Sequence, residues 1–123
     1  ARLRMVRRGS VVLMVASRAY NKVRPGVVVQ ADASTSHFDS LTICMMTSEP
    51  SERSLLRVPV EPTKDNGLRR RSWVQTEKVM TIPQVETRQI IGQLSSEQMR
   101  EIDIALATHL NLYALAPEKG ENQ

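Results

Sequence analysis

Four side chains suited to nucleic-acid binding share the segment of residues 17–24. Arg18, Lys22 and Arg24 can hold the phosphate groups of a polyanion, and Tyr20 among them can stack on an unpaired base. A tyrosine that covers the mouth of a barrel would fit the same position. The segment therefore predicts a loop that binds RNA or DNA. Tyr20 either stacks on a base or covers the mouth of a barrel.

Basic side chains are distributed unevenly along the 123 residues. Residues 1–30 hold seven of them and no acid, and all thirteen carboxylates lie from Asp32 onward, although the net charge is only +4. A second basic cluster, Arg69-Arg70-Arg71, precedes Trp73, which suits either a base platform or a dimer contact. Such asymmetry favours a surface that meets phosphate. The alternative for residues 2–8 is a solvated arm.

Other chemistries find little support in the residue types. The single cysteine, Cys44, is flanked by apolar residues and is interpreted as a small core residue. His37 is interpreted as a solvent-facing loop residue and His109 as a helix-end cation. The longest apolar run, residues 11–16, is far below the roughly 20 residues that span a bilayer. The sequence predicts a cytoplasmic domain with no metal, no cofactor and no membrane segment.

The apolar pattern predicts a mainly β domain that ends in one helix. The predicted strands, set between turn signals, are residues 11–16, 27–31, 41–46, 55–60, 72–82 and 88–94, with 17–24 and 62–67 as loops. Ser95 with Gln98 forms a capping box, and apolar residues at spacings of three and four follow it: Met99, Ile102, Leu106 and Leu110. We expect a small antiparallel sheet with the helix packed on it.

Four segments in this order resemble the motifs of one protein family. They are Arg8-Gly9-Ser10-Val11-Val12, Arg24-Pro25-Gly26-Val27-Val28-Val29-Gln30, Met46-Thr47-Ser48 and Ile91-Gly92-Gln93-Leu94-Ser95. The chain resembles the MazF/PemK family of toxin endoribonucleases over roughly residues 7–113. The resemblance implies an SH3-like barrel of the CcdB/PemK type. It leaves residues 1–6 as an N-terminal extension and residues 114–123 as a polar tail.

The resemblance also implies which residues act. Arg24 occupies the position of the family's catalytic arginine, and Thr47, with Ser48 beside it, that of its hydroxyl partner. RNA carries its own nucleophile in the 2′-hydroxyl, so a site that aligns it and stabilises charge on phosphorus suffices. An arginine stays protonated and can give a phosphate two donors, which favours electrostatic stabilisation by Arg24.

Two positions depart from the family pattern. Ser10 stands where an acid is usual, and Met80 stands where an arginine is usual, which leaves Lys78 or Arg69–Arg71 to replace it on the RNA surface. These departures keep open a catalytically weak, RNA-binding relative as an alternative. A gyrase-poisoning toxin like CcdB is a third alternative, although the chain lacks that family's Trp-Gly-Ile terminus.

The resemblance finally implies partners. We expect a homodimer that cleaves single-stranded RNA sequence-selectively, without a metal ion, and is neutralised by a cognate antitoxin. The C-terminal segment of such an antitoxin is acidic and disordered until it binds. A chain of that kind can cover a basic cleft because its charge is opposite and its flexibility lets it wrap a large surface.

Overall fold

The computed structural model describes residues 6–17, 22–50 and 55–112, which form one sheet with helical elements beside it. The elements in chain order are β1 (Ser10–Ser17), β2 (Lys22–Val28), α1 (Asp32–Thr35), β3 (Ser40–Thr47), β4 (Arg57–Val60), β5 (Ser72–Pro83), a 3₁₀ turn (Gln84–Glu86), β6 (Thr87–Gln93) and α2 (Ser96–His109). The spatial order of the strands is β4-β5-β3-β2-β1-β6, and each paired neighbour is antiparallel. The predicted mainly β fold with a C-terminal helix is confirmed.

The sheet buries apolar side chains on both of its faces. Neighbouring residues of one strand point to opposite faces, so Val11 enters one core cluster and Val12 the other. The first cluster includes Met99 and Ile102 of α2, whereas the second is built from strand residues and Val6. The helix therefore covers one face, and the curl of the sheet closes over the other.

Helix α2 begins as the capping box predicts. The Ser95 hydroxyl accepts a hydrogen bond from the Gln98 amide at 3.0 Å, and the Gln98 side chain accepts one from the Ser95 amide at 2.9 Å. Met99 and Ile102 are buried, as the stripe predicts. Leu110 is not part of that stripe: it is the C-cap residue and is 49% exposed, because the helix extends beyond the edge of the core.

Strand β2 differs from its sequence prediction at both ends. It begins at Lys22 rather than at Val27, because its polar first half pairs with β1, with Val23 opposite Val15 and Arg24 opposite Met14. It ends at Val28, and residues 32–35 form the short helix α1, which the sequence prediction missed. A four-residue helix with no buried side chain has no apolar periodicity to detect. Arg24 is consequently a strand residue rather than a loop residue.

The loop of residues 61–68 connects the two open edges of the sheet. It follows β4 at one edge and hydrogen-bonds to β6 at the other, where the Gln93 amide donates to the Asp65 carbonyl at 2.8 Å. Asn66 is fully buried and organises the loop: its side-chain oxygen accepts from the amides of Thr63 and Leu68, each at 3.0 Å, and its side-chain nitrogen donates to the Glu61 carbonyl at 2.9 Å.

Two glycines make this contact between loop and strand possible. A Cβ on Gly92 would lie 2.3 Å from the carbonyl carbon of Asn66. A Cβ on Gly67, whose φ is +71°, would lie 2.1 Å from the carbonyl oxygen of Ile91. Both obstacles are backbone atoms, which cannot move aside as a side chain can. The approach of the two backbones therefore requires glycine on both sides.

We expect Gly92→Ala to lower the free energy of unfolding by about 2–3 kcal/mol or more, because the added methyl must push the 61–68 loop off β6. Gly26→Ala is the matched comparison, since its Cβ meets chiefly the end of the Ile43 side chain, at 2.8 Å. Urea denaturation of both variants measures the difference. A Gly92→Ala variant as stable as Gly26→Ala would show that the loop is not closely held.

Candidate nucleic-acid interface

A cleft of about 520 Å³, the basic cleft, lies beside the 61–68 loop. It is lined by Leu13, Lys22, Val23, Arg24, Pro25, Met46, Ser48, Gly67, Leu68, Arg69, Arg70, Ser72, Gln89 and Ile91. Its walls come from the start of β2, the end of β3, the segment before β5 and strand β6. Residues distant in sequence thus meet at one end of the sheet.

The charge of the cleft has one sign. Lys22, Arg24, Arg69 and Arg70 line it, and no Asp or Glu is among the lining residues. The ion pairs within the described ranges use other arginines, namely Arg8, Arg57 and Arg71. Four cations without a carboxylate partner in the described part of the chain are available to an external anion. The phosphate groups of a flexible nucleic-acid strand are anions that could bind there.

Arg24 and Thr47 lie just beyond the ladder that pairs β2 with β3. The ladder ends at the pair of Gly26 with Met45, so Arg24 is two residues before that pair on β2 and Thr47 is two residues after it on β3. Arg24 lines the basic cleft, whereas Thr47 is not among the lining residues. Thr47 is 7% exposed and accepts a hydrogen bond from the Glu49 amide at 3.2 Å. Its own O–H remains a donor, because accepting uses only a lone pair. The neighbouring Ser48 is exposed and lines the basic cleft directly.

Arg69 and Arg70 reach the basic cleft because the 61–68 loop, which is held against β6, ends just before them. Gly67 and Leu68 form part of the lining, and the Ser72 hydroxyl donates to the Arg70 carbonyl at 3.1 Å. This bond fixes the backbone between the loop and β5. The two arginines therefore line the same cleft as Arg24.

The remaining residues predicted to bind RNA are not in the lining. Arg71 points elsewhere: its Nε lies 2.9 Å from Glu61 Oε2, and its guanidinium lies 5.1 Å from the centre of the Trp73 ring. Lys78 is exposed on β5, within the irregularity between the Gln75–Met45 pair and the Val79–Cys44 pair. Arg18 and Tyr20 lie outside the described residues.

Arg8 has a structural function that the sequence did not indicate. It pairs with Asp103 of α2, and its Nε donates to the Val29 carbonyl at 3.0 Å. It thereby ties the helix to the residues before β1 and after β2. The basic surface inferred for the N-terminal residues consequently does not include Arg8 as a free cation.

The two positions that depart from the family pattern lie outside the basic cleft. Ser10 is 1% exposed and its hydroxyl accepts from the Arg7 amide at 3.0 Å, so it closes the turn before β1. Met80 is 39% exposed on β5, paired with Ile43. Neither substitution changes the lining of the cleft.

Other reactive groups are not candidates for chemistry. Cys44 is buried in the first core cluster, and burial, followed by the charge of Glu77, raises the pKa of its thiol to about 12. His37 Nδ1 lies 2.8 Å from the Ala33 carbonyl oxygen on an exposed turn. Within residues 6–17, 22–50 and 55–112 no group of His, Cys, Asp and Glu side chains could hold a metal ion.

The family model for PemK-like, MazF-like toxins of type II toxin–antitoxin systems matches residues 7–110. The chain belongs to this family. It is also 32% identical to the probable endoribonuclease MazF of Mycolicibacterium smegmatis over 111 residues, which are 87% of this chain and 98% of that protein. The family and the class of RNA-cleaving toxin predicted from the sequence are confirmed, and the gyrase-poisoning alternative is set aside.

Solved structures share the toxin's fold at low sequence identity. An endoribonuclease in complex with its cognate antitoxin from a mycobacterial species aligns with a TM-score of 0.75 and 21% identity, covering 87% of this chain and 96% of that one. The MazE–MazF complex of Deinococcus radiodurans aligns with a TM-score of 0.68 and 16% identity, covering 85% and 94%. None of the described helices is long and apolar enough to cross a membrane.

The cleft predicts a strong dependence of RNA binding on salt. Each single-strand phosphate contact contributes about −0.7 to the slope of log K against log salt, so four cations predict a slope near −3. The double variant with Arg69→Ala and Arg70→Ala should have a slope about half as steep. Titration of a fluorescent RNA carrying 2′-O-methyl groups measures the slope. Arg71→Ala is the control and should leave it unchanged. Equal effects of Arg71 and the other two arginines would contradict the assignment of the cleft.

Proposed function

We propose that this toxin cleaves single-stranded RNA in the basic cleft, with Arg24 and Thr47 at the reacting phosphate and no metal ion required. The observation that supports the proposal is the cleft itself, which is lined by four cations, Arg24 among them, and by no carboxylate. A flexible strand suits an open groove of this kind better than a duplex, because successive phosphates can follow its walls.

The reaction that these groups can support is transesterification. The 2′-oxygen attacks the adjacent phosphorus, its proton leaves, and the bond from phosphorus to the 5′-oxygen breaks while that oxygen gains a proton. The products are a 2′,3′-cyclic phosphate and a 5′-hydroxyl. The residues need not supply a nucleophile, so their task is to align the 2′-oxygen and to stabilise charge on the phosphoryl oxygens.

Arg24 is suited to the larger part of that task. Its guanidinium can give two parallel hydrogen bonds to phosphoryl oxygens, and such charged bonds strengthen as negative charge develops. The Thr47 hydroxyl would add a neutral donor from the facing strand. Lys22, Ser48, Arg69 and Arg70 would hold the flanking phosphates along the cleft.

The mechanism is tested with RNA that lacks the nucleophile. The toxin should cut a susceptible RNA in the presence of EDTA and leave a cyclic phosphate end. The same RNA with a single 2′-deoxy nucleotide at the scissile position should resist, because no 2′-oxygen can attack. Gel analysis of end-labelled RNA measures both. Cutting of the deoxy substrate at the normal rate would exclude transesterification.

Arg24→Ala should slow cleavage by about a hundredfold to a thousandfold, the usual effect of removing a donor to a developing oxyanion. Stability should change little, since Arg24 is only half-buried and has no ion-pair partner in the described part of the chain. Arg24→Lys should recover part of the rate, because it keeps the positive charge but cannot give two parallel hydrogen bonds to the phosphate. Arg100→Ala, an exposed arginine on α2, is the control. Normal single-turnover rates in Arg24→Ala would remove Arg24 from the mechanism.

We also propose that a cognate antitoxin covers this cleft with an acidic segment that orders on binding. Charge complementarity to the four lining cations supports it, and so does the antitoxin complex of the mycobacterial structural neighbour. An acidic antitoxin peptide should compete with 2′-O-methyl RNA in fluorescence anisotropy, and a charge-neutral version of the peptide should not. Simultaneous binding of peptide and RNA would show that inhibition occurs elsewhere.

The assembly that we propose is a homodimer acting in the cytoplasm, where the RNA substrate is found. Apolar side chains of α2 and of the residues after it remain partly uncovered in one chain, with Ile104 50% and Leu112 44% exposed. A second copy would cover such a surface. Light scattering should give twice the 13.8 kDa of one chain, and a monomer at micromolar concentration would contradict the dimer.

A further inference from the structure

Gln89 is an exposed β6 residue in the lining of the basic cleft, and its side chain has no hydrogen-bond partner among the described residues. Other glutamines of the same part of the chain use their carboxamides internally. Gln30 donates to Thr35 at 2.8 Å, Gln84 donates to the Phe38 carbonyl at 3.2 Å, and Gln93 donates to the Arg8 carbonyl at 2.8 Å. Gln89 therefore presents both a donor and an acceptor to the cleft.

The strand register sets Gln89 close to the proposed reaction site. Leu13 of β1 is paired with Pro25 on one side and with Gln89 on the other, so the three residues form one row across the sheet. Two strand spacings of about 4.8 Å place the backbone of Gln89 roughly 10 Å from that of Pro25, the neighbour of Arg24. A nucleotide held at its phosphate by Arg24 can extend its base, or that of its neighbour, to this distance.

The lining of the cleft divides into two kinds of surface. Cations lie at the start of β2 and in the segment before β5, whereas Leu13, Pro25 and Ile91 form an apolar strip beside Gln89. Phosphate contacts position a strand without recognising its sequence, and hydrogen bonds to base edges recognise it. An apolar strip with one free amide at its side suits the face and the edge of an unpaired base.

We propose that Gln89 is a specificity-determining residue that hydrogen-bonds to the edge of one base of the RNA. Adenine is the base expected, because its adjacent amino donor and ring-nitrogen acceptor match the acceptor and donor of a carboxamide. The inference rests on the proposed function, since it takes RNA as the ligand of the cleft. It adds sequence selectivity to a site whose charged residues contact any sequence.

The test compares cleavage of a random-sequence RNA pool by the wild-type toxin, Gln89→Ala and Gln89→Glu. Sequencing of the cut ends should show adenine favoured about tenfold at one position by the wild type and about twofold or less by Gln89→Ala. Gln89→Glu keeps the acceptors but loses the donor, so its preference should shift toward cytosine, whose amino group donates to a carboxylate. Gln84→Ala, outside the cleft, should keep the wild-type profile.

A second pool, built with 2′-O-methyl groups so that it cannot be cut, separates recognition from cleavage. Selection of bound sequences should show the same adenine preference, lost in Gln89→Ala. If the wild type binds with this preference but cuts nothing, the proposed function fails and the assignment of Gln89 stands. An unchanged profile in Gln89→Ala, or no adenine preference in either pool, overturns the assignment.

Discussion

The backbone of the 61–68 loop lies against the backbone of β6, and the position of the basic cleft depends on that contact. Without it, β4 and β6 would be two open edges of a sheet, and the segment that carries Arg69 and Arg70 would have no fixed relation to Arg24. The contact needs glycine at positions 67 and 92, because any Cβ there would overlap backbone atoms of the other segment. The buried side chain of Asn66 satisfies the polar groups that the loop would otherwise leave unpaired.

A second organising feature is the division of the arginines into paired and unpaired ones. Arg8, Arg57 and Arg71 each face a carboxylate, of Asp103, Glu77 and Glu61 respectively. Arg24, Arg69 and Arg70 face none in the described ranges and share one cleft with Lys22. Like charges that share one cleft repel each other and oppose folding, so the 61–68 loop and the sheet must hold them in place. The same arrangement leaves the cleft ready to accept an anion without first breaking an ion pair.

Strand β2 shows how one element can serve both the core and the site. Its second half, Val27 and Val28, is fully buried, one residue in each core cluster. Its first half continues the ladder with β1 but carries Lys22 and Arg24 into the cleft. Because Arg24 is on a paired strand, its backbone is held on one side by β1, while its side chain has no ion-pair partner in the described ranges. A rigid backbone of this kind suits electrostatic stabilisation, which relies on donors that are already in place.

The sequence by itself determined the features that depend on neighbouring residues. The capping box and apolar stripe predicted where α2 begins and which of its residues are buried, and β-branched runs located β1 and β3. The ordered motifs around Arg24 and Thr47 indicated the family and its RNA-cleaving class, since they are local strings. Position along the chain could not show which arginines are free. Only the tertiary structure decided that, because the partner of Arg8 lies on α2 at the far end of the chain and Arg71 turns to Glu61. It likewise brought Gln89 into the cleft through pairing with β1, a relation between distant segments that leaves no local pattern.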